Sequence, residues 1–74
     1  MTMTRPLNTT AVFELEELID SNSLASVVYA LSEICWGKAD HLRTNWQDHA
    51  SALAWEQMGK RLETTSIAAK EKSV

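Results

Sequence analysis

Apolar residues recur along this chain at the spacing of a helix. Between Ser23 and Asn45 they fall at Leu24, Val27, Val28, Leu31, Ile34, Cys35, Ala39 and Leu42. On a wheel turned about 100° per residue they share one stripe roughly 140° wide. A strand needs strict alternation, and Val27-Val28 breaks it. The run therefore predicts one long amphipathic helix that covers a core. Asp20-Ser21-Asn22-Ser23 supplies side-chain oxygens that can cap its first turn. Gly37 lies on the far side, where it costs about 1 kcal/mol relative to Ala and marks a close approach or a weak point. Lys38 interrupts the stripe between Ile34 and Leu42. Either its methylenes cover apolar surface while the ammonium reaches water, or it awaits an acid on another helix or another protein.

Two shorter patterns flank this helix. Val12, Phe13, Leu15, Leu18 and Ile19 predict a first helix over 10–20, capped by Thr9 or Thr10, with Glu14, Glu16, Glu17 and Asp20 on much of its remaining surface. The early acids suit the positive end of its dipole. Residues 20–23 form a tight polar connection. A third helix is predicted over 49–63. Asn45 caps it, or Asn45-Trp46-Gln47-Asp48 is a loop and Asp48 is the cap. Ala54, Trp55, Met58 and Leu62 make one broad face, and Trp46, Ala50 and Leu53 another. Glu56 and Lys60 form an i, i+4 pair in the favourable order. Residues 1–9 read as an irregular arm and 64–74 as a frayed, solvated tail. The expected architecture is a small all-α three-helix bundle with a short, a long central and a third helix.

The chain has 74 residues, which bounds it to one domain of marginal stability. One cysteine excludes an internal disulfide. Cys35, on the apolar stripe, reads as a small buried hydrophobe in a reducing compartment. With no staple, a partner chain or self-association becomes the source of further burial. The net charge is −3, and residues 1–37 carry five acids and one base. That balance disfavours direct nucleic-acid binding, which calls for a basic stripe. The start of the second helix offers Ser23, Leu24, Ala25 and Ser26, none of them a reader of base edges through a long polar arm. No apolar run is long enough to span a membrane, and the N-terminal segment has no apolar core of a secretory signal. A cytoplasmic protein is expected.

Candidate chemistry is sparse. Cys35, Asp40, His41, Asp48 and His49 do not have metal-ligand spacing, with no Cys-x-x-Cys and no His-x-x-x-His. Cys35 and His41 point in different directions on one helix, so no nucleophile pair forms. There is no phosphate loop and no nucleophile elbow. No catalytic residue, metal or cofactor is expected.

The unusual feature is aromatic. Three tryptophans occur in so short a chain. Tyr29, Trp36 and Arg43, spaced by seven, line one flank of the central helix beside Glu33 and Asp40, where either a third helix packs or an aromatic and charged patch is exposed. Trp46 sits in the polar corner that follows, as a plug for the end of the bundle with its indole N–H on a backbone carbonyl, or as an anchor for a partner. Trp, Tyr and Arg are the residues most enriched at interface hot spots. Tyr29, Trp36, Arg43 and Trp46 are therefore the candidate partner-binding residues. The expected function is a non-catalytic interaction module that binds a partner protein or itself, a homodimer included. The alternative is an acidic regulator that occupies a basic, nucleic-acid-type site through Glu14, Glu16, Glu17 and Asp20.

Overall fold

The computed structural model describes residues 6–74. Among them are three helices and no strand: α1 (Thr9–Asn22), α2 (Leu24–Asn45) and α3 (His49–Glu71). The all-α, three-helix architecture predicted from periodicity is the one observed. Residues 1–5 of the expected N-terminal arm lie outside the described residues, and 6–8 are non-helical.

Each helix begins on a side-chain cap. Asn8, rather than Thr9 or Thr10, caps α1, its Oδ1 accepting from the Ala11 N–H at 2.8 Å. The predicted 20–23 connection shrinks to Ser23 alone. Ser23 Oγ accepts from the Ser26 N–H at 3.0 Å and caps α2. Its φ of 144° is rare for a side-chain-bearing residue. Asp48, the second of the two expected candidates, caps α3 through the Ser51 N–H at 3.1 Å.

The core is a seam between α2 and α3, which run antiparallel. On α2 it consists of Ala25, Val28, Ser32, Cys35, Ala39 and Leu42. On α3 it consists of Ala52, Gly59, Leu62, Ser66 and Ala69, with Trp55 at the matching heptad position but exposed. Both sets alternate steps of three and four, the heptad signature of a coiled coil. Every seventh residue is small: Ala25, Ser32 and Ala39 face Ala52, Gly59 and Ser66. The fully buried positions are these small ones with Cys35 and Ala69, apart from half-buried Ala25. A Cβ built on Gly59 would stand 3.4 Å from the Ser32 carbonyl oxygen, so the two backbones approach closely here. The seam serines do not orphan their hydroxyls. Ser32 Oγ donates to the Tyr29 carbonyl at 2.6 Å and Ser66 Oγ to the Glu63 carbonyl at 2.8 Å.

This seam corrects two expectations. The α2 stripe was to face the core across its width, but only the Val28–Cys35–Ala39–Leu42 side does so. Leu24, Leu31 and Ile34 on its other side remain exposed. The predicted tail is also helical through Glu71, with Ser66 and Ala69 buried in the seam. Thr64 and Thr65 are poor helix formers. Here their hydroxyls donate back to the Lys60 and Arg61 carbonyls at 3.1 and 3.0 Å, which keeps them compatible with the helix. Beyond Glu71 the chain folds back, and the Ala25 N–H donates to the Val74 oxygen at 3.0 Å.

The arrangement is open. α1 packs on α2 alone and does not reach α3. The molecule measures 38 × 29 × 16 Å. Its radius of gyration is 14.0 Å, against about 11 Å for a compact chain of this length.

Candidate functional site

The α2–α3 hairpin has two flanks. The Gly59 contacts with Ser32 and Cys35 set the register, placing Cys35 opposite Gly59. Seven residues on from Trp36, Arg43 then lies beside Glu56. Its Nη2 donates to Glu56 Oε2 at 2.7 Å. This is the one ion pair among the described residues. The hydrogen bond from Arg43, and secondarily its charge, hold the Glu56 carboxyl below its ordinary value. Lys60 adds a smaller effect through its charge, but the expected Glu56–Lys60 pair does not close.

On the same flank Trp36 is half-buried, with its Cε2 3.3 Å from the point where a Gly59 Cβ would stand. Glycine at 59 is the space into which the indole fits. Further along, Tyr29 is half-exposed beside an open groove of about 500 Å3 that also involves Ser26 on α2 and Ser66, Ile67 and Lys70 on α3. The heptad spacing of Tyr29, Trp36 and Arg43 thus marks the edge along which α3 lies. The three residues are strung along that one edge of α2, about two helical turns apart.

Trp46 stands apart from them and is 69% exposed. Its indole N–H donates to His41 Nε2 at 3.1 Å, not to a backbone carbonyl. The plug expected at the end of the bundle is therefore not formed. Trp46 is the residue that closes α2, at a corner where the Asp48 N–H donates to the Leu42 carbonyl at 3.0 Å.

The opposite flank carries the feature that the sequence reading treated as core. Leu24, Val27, Leu31 and Ile34 again alternate by three and four, which is a second heptad seam on α2. Leu31 is 40% exposed and Ile34 is 55% exposed. The register puts Met58 of α3, also exposed, on this flank. Lys38 continues the seam and is exposed, with no ion-pair partner among the described residues. On α1, Val12, Phe13 and Leu18 are also at least half-exposed. The clue was available in the sequence: α2 holds two three-four repeats side by side, and one neighbouring helix can fill only one of them.

The chemistry elsewhere is limited. Cys35 is a free thiol buried in the seam, as expected. Among the described residues no group of three His, Cys, Asp or Glu side chains converges as a metal site. No described helix is long and apolar enough to cross a membrane. No protein-family model matches the chain, and neither does any curated protein or solved structure.

Proposed function

We propose that this chain is a non-catalytic, cytosolic protein-interaction module that works through the exposed faces of its helices. The observation that carries this reading is an excess of surface. The chain exposes 6094 Å2, whereas a compact monomer of 8.3 kDa exposes about 4,600 Å2. With residues 1–5 set aside at a full unfolded-chain area of roughly 900 Å2, the remainder still exceeds the roughly 4,300 Å2 of a compact chain of its mass by roughly 900 Å2. One side of a standard protein interface buries about 800 Å2. Stable domains pack two layers of secondary structure around a core, and this molecule supplies one.

The test is capture from a lysate of the native host, using the tagged wild type beside Ile34→Glu and Trp46→Ala, each first shown to be helical. A protein held by the wild type and lost by either variant supports the reading. Equal capture by all three, or none by any, overturns it. A second reading rests on α1, whose Glu14, Glu16, Glu17 and Asp20 are all exposed and which contains no basic residue. Here α1 occupies a basic site on its target. Binding that holds its strength from low to high salt would exclude that version.

A further inference from the structure

We infer that the occupant of the second α2 seam is another copy of this chain, set antiparallel about a two-fold axis. The inference rests on the interaction reading above and names its partner. Three observations carry it. The excess area matches one side of a standard interface, so two copies covering each other would remove it from both. The seam has the spacing of half a coiled coil, with exposed apolar knobs at Leu24, Leu31 and Ile34 and a half-buried one at Val27 beside Leu18 of α1, and a helix of like spacing fits it. The third observation is charge. Lys38 ends the seam without a partner of its own among the described residues, while α1, which leads into the other end of α2, carries acids and no base.

Antiparallel pairing joins these facts. With the two-fold axis between Val27 and Leu31, each Leu24 meets the second copy's Ile34. Each Lys38 then arrives at the second copy's α1–α2 corner, where Asp20 is the nearest acid along the chain. A parallel pair would instead set Lys38 against Lys38, like charge on like. The isologous arrangement is self-complementary, as two-fold interfaces must be. It turns two single layers into one two-layer body.

The experiment is sedimentation equilibrium of the full chain from nanomolar to about 100 micromolar, with circular dichroism to check folding. The wild type is expected to dimerise. Ile34→Glu is expected to weaken the dimer by about a hundredfold with its helicity unchanged, because the side chain is exposed in the monomer. Lys38→Glu, a substitution at an exposed position, is expected to weaken it by about tenfold. Asp20→Lys added to Lys38→Glu is expected to recover most of that loss. A wild type that stays monomeric throughout overturns the inference. So does a folded Ile34→Glu that dimerises as well as the wild type, or a Lys38→Glu that the Asp20 change does not rescue. A monomeric wild type that still captures a lysate protein in an Ile34-dependent way removes the second copy and leaves the interaction reading standing. A monomeric wild type with no such capture removes both.

Discussion

Trp36 on α2 lies against the one α3 seam position that has no side chain, with its Cε2 3.3 Å from where a Gly59 Cβ would be. The same added Cβ would meet Cys35 Cβ and the Ser32 carbonyl oxygen at 3.4 Å each. The indole can slide outward, because it is only half-buried, but the Ser32 backbone cannot. Gly59→Ala therefore sets a propensity gain of about 1 kcal/mol against crowding of similar size, and its net change is expected below about 1 kcal/mol. Gly59→Val adds two further methyls to a closed seam and is expected to destabilise by about 1–3 kcal/mol. Gly37 is the control. Nothing stands within 4 Å of its Cβ position, so Gly37→Ala is expected to stabilise by about 1 kcal/mol. Urea unfolding of the three variants gives all of these values.

Ser23 serves two opposed demands. Its hydroxyl caps α2, while its φ of 144° and ψ of 157° lie in a region that favours glycine. Ser23→Gly gives up the cap at a cost of a few tenths of a kcal/mol and relieves strain of order 1–3 kcal/mol. A net stabilisation of about 1 kcal/mol or more is expected. Ser23→Ala loses the cap and keeps the strain, so a destabilisation of about 1 kcal/mol is expected. Thermal unfolding of the two variants separates the contributions. If both change stability in the same direction, the strain argument fails.

The sequence showed the helices more clearly than the core. Helix positions follow from periodicity and capping chemistry, both local, and all three helices were legible. The choice of buried face was not local. Wheel arguments weigh residues by hydrophobicity, so they centred α2 on Leu24, Leu31 and Ile34. Close packing between two backbones favours small residues as well, and Ser32 and Gly59 joined the expected Cys35 and Ala39 in the core. Ser32 and Ser66 look polar on a wheel, yet their hydroxyls are satisfied within their own helices. The Thr64-Thr65-Ser66 run read as an ending for the same reason, since its back-bonded hydroxyls cannot be foreseen from propensity. Of the candidate partner residues, Tyr29, Trp36 and Arg43 proved to share an edge because seven-residue spacing is a local property. The surroundings of Trp46 depended on a loop conformation with Gln47 at a φ of 50°, which no spacing rule supplies.

The Trp46–His41 contact ties the α2–α3 corner to one histidine tautomer. The indole N–H can only donate, so His41 Nε2 must accept and carry no proton. The ring proton then sits on Nδ1, 2.9 Å from the Asn45 side-chain amide. A half-turn of that amide places its oxygen there as the acceptor. Removing the imidazole takes away the Nε2 acceptor. The difference in fluorescence between the wild type and Trp46→Phe is therefore expected to shift in His41→Phe, where the indole N–H has lost its partner. Because both side chains are exposed, His41→Phe is expected to alter stability by less than about 0.5 kcal/mol. A Trp46 signal that is the same with and without His41 would remove the contact from solution.

Acid should act on the hairpin through Asp48 and Glu56. Asp48 is held below its ordinary value of 3.8, first by the Ser51 backbone N–H and then by the Ser51 hydroxyl. Glu56 is held below its ordinary value of 4.5, first by the hydrogen bond from Arg43. Both groups are therefore more readily ionised in the folded chain than in the unfolded one. The unfolded state binds protons first as the pH falls, so the stability these groups contribute is complete above about pH 5. It declines below 4.5 and 3.8 and is gone once the pH has passed through the depressed folded values. Asp48→Asn keeps an oxygen for the Ser51 N–H and removes the titration. It is expected to be slightly less stable than the wild type at neutral pH and to flatten the acid limb. Arg43→Gln leaves Glu56 without its donor and is expected to remove that residue's share of the same slope. Urea midpoints taken from pH 7 to pH 3 for the wild type and the two variants give the slopes directly. An acid limb unchanged in Asp48→Asn would mean that the cap to Ser51 contributes no pH-dependent stability.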